Sequence, residues 1–399
     1  MKYGLLMHTP TTNIGDDIQS YAIKQFLPRV DYIIDREKAF YFKPEDEKPV
    51  AVIMAAWWMW AKWNWPPSKY ILPYFTGFHY SDNKLADQAG CPVGYMFMEG
   101  LGKEYMQNYG PIGCRDIYTL NNFRELGIDS YFSGCISISL PKQKRIKPEK
   151  EYVCLVDVLP SVEKKIRKEL EGTDIEIKTF KHYIKKEEQL KKTWQQRMDD
   201  MEELLTTYQN AKCVITRRLH AALPCLAMEV PTLLTIHTFE SIRFSPYYDW
   251  LNCCLPEDYA EGRYEYDILN PPANPTNYLE PRKKLIESVK GFIDHAESLG
   301  DASADEISKF SRSEKEIEKW RYRNIKKTDK IWRKELKGRL NEKEQAFDNK
   351  MKAQIRSKRG NKKEQNELYD KMFNEYLKQA RRIFQIELKK RKKKDYRNI

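Results

Sequence analysis

The chain has 399 residues, 41% of them hydrophobic, which excludes disorder of the whole and leaves room for two domains of ordinary size plus an appendage. Its net charge of +12 is unevenly held: residues 301–399 carry 32 Lys and Arg against 17 Asp and Glu, whereas residues 1–300 carry 38 against 41. The basic character therefore belongs to the last hundred residues, and the body is near neutral.

The chain opens on a predicted strand, Lys2 to His8, with no signal peptide and cleavage site ahead of it. A turn at Asn13–Asp17 follows, then a helix from about Ile18 to Leu27 and a strong strand from Val50 to Ala56. The longest apolar run, Val50 to Ala61, is too short for a bilayer, which needs about 20 residues. An aromatic loop carries five tryptophans between Trp57 and Trp65, and helix and strand alternate again from Asp116 to Leu140. Residues 1–140 read as one Rossmann-like domain. Residues 141–151, charged and with two prolines, read as a linker.

A second Rossmann-like domain, 152–300, begins with the strand Tyr152 to Val158. Ser161 is placed to cap a helix to Leu170, Asp174 to Phe180 is a strand, and Glu187 to Asn210 has helical periodicity. Arg282 to Leu299 reads as one more helix. From Asp301 the chain is basic and helix-permissive, with Ile317, Trp320, Ile325, Trp332 and Leu336 spaced along it. It is broken near 356–367, resumes over Leu368–Leu388 and ends in KKRKKKDYRNI. The eight cysteines include no CxxC pair, and Cys154 and Cys213 sit inside predicted strands. That pattern fits reduced, buried thiols in a cytoplasmic protein and offers no zinc spacing.

Lys212 to Ile236 is the most informative stretch. A buried strand (Cys213 to Thr216) leads to a helix (Ala221 to Glu229) and a second strand (Pro231 to Ile236). Arg217, Arg218 and His220 fall at the carboxyl end of the first strand, where open α/β sheets bind ligands. Arginine grips phosphate or carboxylate with a planar fork, the helix start adds free N–H groups, and His220 can exchange a proton near neutral pH. The plainer alternative is an arginine paired with a carboxylate and a histidine that caps the helix.

Arg-Leu-His followed by Ala-Ala resembles the polysaccharide pyruvyl transferase family. So do NIGDDIQSYA from Asn13, GPIGCRDIYTLNNFRELGI from Gly110 and YFSGCISISL from Tyr131, in order over roughly Met1 to Pro256. The resemblance implies two Rossmann-like halves facing a cleft, in a GT-B-like α/β arrangement. It also implies transfer of pyruvate from phosphoenolpyruvate to two hydroxyls of a sugar, as a cyclic ketal. Where it implies a Lys after the last strand, this chain has HTFESIRFS, and Arg243 stands nearest that place.

The candidate site follows. His220 is the catalytic acid. Arg218 and Arg115, with Arg217 and Arg243, take the donor's anionic groups. Asn13, Asp16, Asp17, Trp65 and His79 face the acceptor, Trp65 as a stacking surface for a sugar ring. Each has a structural alternative: a capped turn for Asn13–Asp17, a core aromatic for the tryptophans, a surface pair for Arg115 and Asp116. No cofactor is called for, since there is no GxGxxG and no P-loop, and nothing in the sequence demands a metal. The acceptor expected is a sugar of a surface or capsular polysaccharide or of its lipid-linked precursor. The basic extension is expected to meet an anionic membrane surface rather than nucleic acid, because aromatics accompany the charge and no nucleic-acid reader fold is evident. The alternatives are a nucleotide-sugar glycosyltransferase of the same architecture and a non-catalytic binding protein with a basic tail.

Overall fold

The computed structural model describes residues 1–9, 11–58, 64–80, 95–142, 145–146, 148–357, 367, 370–372 and 374. Apolar runs short enough for strands and buried on both faces make parallel sheets. In the first sheet β1 (Lys2–Met7), β2 (Tyr32–Asp35), β3 (Val50–Ile53) and β5 (Ile71–Tyr74) are all parallel, in the order β2-β1-β3-β5. Two short parallel pairs accompany it. One joins β4 (Trp57–Trp58) to β6 (His79–Tyr80), the other β7 (Ile112–Cys114) to β8 (Ser130–Phe132). The second sheet holds β9 (Tyr152–Val156), β10 (Glu176–Phe180), β11 (Val214–Thr216), β12 (Thr232–Thr235) and β13 (Asn252–Cys254). It too is wholly parallel, in the order β10-β9-β11-β12-β13.

The helices connecting the strands are α1 (Ile14–Lys24), α2 (Tyr95–Met98), α3 (Gly100–Asn108), α4 (Ile117–Glu125), α5 (Pro160–Glu169), α6 (Lys186–Gln189), α7 (Trp194–Asn210), α8 (Leu219–Ala227) and α9 (Pro256–Ala260). Then come α10 (Leu279–Ser298), α11 (Ala304–Ile307) and α12 (Glu314–Ser357). Helices α8 and α10 begin two and three residues earlier than the sequence suggests, and three further departures have local reasons. Helix α1 starts at Ile14 rather than Ile18, because Asn13 accepts the Gly15 N–H as N-cap and Asp16 and Asp17 suit the positive end of a helix. Ser161 lies inside α5, whose first position is Pro160 with Leu159 as N-cap. The stretch 187–210 divides into α6 and α7, and a Thr193–Gln196 capping box opens the latter.

Both sheets belong to one compact unit, residues 1–59, 64–81 and 97–312. Helices α1, α7, α8 and α10 share one apolar core, with Ile18, Ile23, Met201, Leu205, Leu223, Leu226, Phe292 and Ile293 among its members. Helix α10 follows the second sheet in sequence but packs back on the first half. Arg282 donates to the carbonyls of Ile138 and Leu140, each at 2.8 Å, and Phe292 stacks on Tyr74 at 4.8 Å between centroids. The unit runs on to Arg312, since Phe310 packs on Tyr105 and Arg312 pairs with Glu104.

A second unit comprises residues 60–63, 82–96 and 313–399. Its described part is chiefly the 44-residue helix α12, on which Lys315, Lys319, Lys326, Lys334 and Lys337 are exposed. Among the described residues no helix is long and apolar enough to cross a membrane. Trp60, Trp63 and nearly all of the Leu368–Leu388 stretch lie outside the described residues.

Candidate active site

In the second sheet the strand order switches sides between β9, which leads outward to β10, and its parallel neighbour β11, the position at which open sheets of this kind bind ligands. Asp157 follows β9 there, with φ of 52°. A left-handed non-glycine residue costs on the order of 1–3 kcal/mol and persists only when its surroundings hold it. Two donors hold this one: the His182 N–H at 3.1 Å and the Arg218 Nε at 2.6 Å both reach Asp157 Oδ2. Arg218 is thus ion-paired, its side chain about half exposed. Arg217, beside it, contacts His237 Nε2 through Nη2, while its own Nε is buried with no partner among the described residues.

Helix α8 begins one residue further on and carries His220 in its first turn. Pro224 inside that helix lacks the N–H that would bond the His220 carbonyl. The imidazole lies against Gly15 of α1: a β-carbon there would come within 2.8 Å of His220 Cγ and 2.9 Å of its Cβ. Glycine at 15 is what lets the two helix starts approach.

The Asn13–Asp17 segment divides its work. Asn13 caps α1. Asp16 is buried and accepts the Thr11 hydroxyl at 2.6 Å. Burial would raise its carboxyl, but His8, Arg36 and the Thr11 bond outweigh that and hold it below the ordinary value. Asp17 is committed elsewhere, in a buried pair with Arg197 of α7 that also takes a hydrogen bond from Gln189.

Arg115 follows β7 and is 1% exposed. Its Nη1 donates to Gln19 Oε1 at 3.2 Å, its carbonyl accepts the Tyr247 hydroxyl, and its Nη2 has no partner among the described residues. His220 Nε2 is buried and likewise unpartnered. Burial first, and then the Arg115 charge, push the His220 imidazole well below its ordinary pKa; Asp16 pulls the other way, and Arg243 and His182 add to the depression. Arg243 keeps part of its surface exposed, yet lost hydration and the Arg115 charge bring its guanidinium down to about 10. His79 is buried beside Asp116 and feels both Arg115 and Arg243. The ensemble is a pair of guanidinium groups around a neutral imidazole. The carboxylates of Asp16 and Asp116 share that field, and the unpartnered Arg115 Nη2 is free to donate to an anionic ligand.

The family profile described as polysaccharide pyruvyl transferase matches residues 13–236, more than half of the chain. The chain belongs to the polysaccharide pyruvyl transferase family. No curated protein matches it. The matched span runs from the N-cap of α1 to the residue after β12, so Asn13, Asp16, Arg115, Asp116 and His220 lie within it and Arg243 lies beyond.

Of the residues chosen from sequence, the fold brings His220 and His79 each within reach of the charges of Arg115 and Arg243, and His220 and Arg243 within reach of Asp16. Arg217 and Arg218 sit at the carboxyl end of the central strand β11 with partners of their own. Trp65 is not an exposed surface for a sugar. It is fully buried, edge-on to Phe97 at 4.7 Å and Tyr105 at 5.4 Å, because Phe75 just past β5, Phe97 of α2 and Tyr105 of α3 pack around it. Sequence reasoning passed over Asp157, His182, Gln19 and Tyr247. Asp157 had one available signal, an acid at the carboxyl end of the first strand of its sheet. Among the described residues no three of His, Cys, Asp or Glu are grouped to hold a metal ion.

Proposed function

We propose that the protein transfers pyruvate from phosphoenolpyruvate to two hydroxyls of one sugar, forming a cyclic ketal and releasing phosphate. The observation that carries this reading is the pair of buried, unpartnered nitrogens, Arg115 Nη2 and His220 Nε2, which share the charges of Arg243 and Asp16. A buried donor without an acceptor costs about 1–3 kcal/mol, and an anionic ligand with several oxygens removes that cost. Arg115 and Arg243 take the carboxylate and phosphate. The same anion offsets the depression of the His220 pKa, so the imidazole gains a proton as the donor arrives.

His220 gives that proton to the methylene carbon, which becomes a methyl group while the adjacent carbon takes on oxocarbenium character. One sugar hydroxyl bonds to that carbon and loses its proton. The carbon–oxygen bond to phosphate breaks, and the second hydroxyl closes the ketal. Of the two hydroxyl protons, one replaces the proton given to the methyl group and the other leaves on phosphate. The protein contributes orientation, charge and proton transfer, as in general acid–base catalysis elsewhere. Asn13, Asp16 and His79 line the acceptor side of this arrangement. Surface or capsular polysaccharide, or its lipid-linked precursor, is the acceptor class. The +15 charge of residues 301–399 would hold a cytoplasmic enzyme against the anionic inner face of a membrane.

A second reading has one observation in its favour. Arg217, Arg218 and Asp157 gather at the switch point of the second sheet, where a nucleotide diphosphate would bind in a glycosyltransferase. Phosphate release from phosphoenolpyruvate, measured with a panel of galactosides, mannosides and glucosides, tests the first reading. Turnover of a nucleotide sugar, with phosphoenolpyruvate inert, would replace it with the second.

A further inference from the structure

We propose that His79 is the base that accepts the proton of the attacking sugar hydroxyl, and that Asp116 is the positioning residue that fixes its tautomer; this rests on the pyruvyl-transfer reading above. His79 lies in β6 and is 3% exposed, and Asp116, the N-cap of α4, is wholly buried. His79 Nδ1 is 2.5 Å from Asp116 Oδ2 and 3.3 Å from Thr119 Oγ1. Thr119 has already committed its hydroxyl proton to Asp116 Oδ1 at 2.9 Å, and its N–H bonds the same oxygen at 2.9 Å. Both neighbours of Nδ1 are therefore acceptors. The ring proton must sit on Nδ1, and Nε2 carries the lone pair.

The charges around the ring agree. Burial and the guanidinium of Arg115 hold the imidazole down to about 4, with Arg243 adding to the effect and Asp116 opposing it. The Asp116 carboxyl would be raised by burial, but the His79 contact and Arg115 bring it to about 2. The pair is a neutral imidazole on an ionised carboxylate. That is the resting state of a base whose conjugate acid is stabilised as it forms. His79 and His220 both feel Arg115 and Arg243, so acid and base stand around the same two guanidinium groups. As the hydroxyl oxygen bonds to the oxocarbenium carbon, its O–H bond breaks and the proton passes to His79 Nε2. The imidazolium, held by Asp116, then yields it to the departing phosphate.

Sequence gave His79 an acceptor-binding role and Asp116 none. A residue that only binds the sugar would change KM, whereas a base changes kcat. Asp116→Asn keeps a good N-cap, so α4 survives, but its amide donates to Nδ1 and drives the ring proton to Nε2. The test combines kinetics with nitrogen-detected NMR of the histidine rings in full-length protein. We expect His79 in the Nδ1–H tautomer in the wild type and not in Asp116→Asn. We expect Asp116→Asn and His79→Gln to bind phosphoenolpyruvate within about twofold of wild type while kcat falls by about 10²–10⁴. Imidazole in the buffer should restore part of the rate to His79→Ala. An Nε2–H tautomer in the wild type, full kcat in Asp116→Asn, or a His79→Gln defect confined to sugar KM would overturn the assignment. A wild-type protein that releases no phosphate from phosphoenolpyruvate with any sugar defeats the pyruvyl-transfer reading itself, and this inference falls with it.

Discussion

Replacing Gly15 with alanine adds one methyl group at the meeting point of α1 and α8. The new carbon would stand 2.8 Å from His220 Cγ and 2.9 Å from His220 Cβ, against an ordinary carbon–carbon contact of roughly 3.5–4.0 Å. Rotation about the first side-chain bond can move the ring, but it cannot move Cβ. The two helix starts must therefore separate by something under about 1 Å. Overpacking of this kind costs about 1–3 kcal/mol, and exchanging glycine for alanine in a helix returns about 1 kcal/mol, so the protein should stay folded. The chemistry is less tolerant: a displacement near 1 Å of a catalytic group costs on the order of 10²-fold in rate. We expect Gly15→Ala to lose about 10²-fold in phosphate release, with a melting temperature within a few degrees of wild type. His220→Ala sets the floor. Wild-type turnover in a folded Gly15→Ala protein would refute the reasoning, because it would mean that His220 need not sit where Gly15 puts it.

Three more outcomes follow from the same geometry. His8, His79 and His182 are held down to about 3, 4 and 4 by burial, and His220 is also lowered. Each stabilises the fold fully above the unfolded value near 6.5 and loses that contribution as pH falls towards 4, by up to about 1.4 kcal/mol per unit. Asp35, pushed up to about 6, and Asp17 work in the opposite direction but are fewer. Urea denaturation should thus show stability dropping from pH 7 to 5, and a flat profile would contradict the neutral histidines. Trp65→Ala should destabilise by about 3–5 kcal/mol with no selective rise in sugar KM, since the indole is core; a selective KM change in a stable protein would return it to the acceptor site. Truncation after Arg312, which spares Phe310 and its contact with Tyr105, should leave transfer to a soluble sugar intact and abolish low-salt binding to anionic vesicles. Equal vesicle binding by the truncated form would remove the membrane role from the extension.

The parallel sheets were legible because their strands are apolar throughout: VAVI at 50–53 and the strand before Arg217 announce themselves in any window. The Arg217–His220 cluster was legible for the same reason, as polar residues at the end of such a strand. What could not be read was pairing. Arg218 looked like an anion grip, and whether Asp157 stood opposite it depended on the register of β9 against β11, sixty residues apart. Trp65 looked like a loop residue beside two prolines. Its burial comes from Phe97 and Tyr105 on other elements, which no local pattern connects to it. Asp16 and Asp17 are neighbours of identical type, and only their position on α1 turns one towards Thr11 and the other towards Arg197.

The return of α10 to the first half bears on how this protein could be recombined with its relatives. A chimaera that takes the first sheet from one member and the second from another would ordinarily be spliced once, between β8 and β9. Here a single splice would pair a foreign Leu279–Ser298 with the native carbonyls of Ile138 and Leu140 and the native ring of Tyr74. Those contacts belong to the first half by packing although they belong to the second half by order. The interchangeable module is therefore discontinuous: residues 1–140 travel with the helix that begins at Leu279, and a working hybrid needs two junctions rather than one.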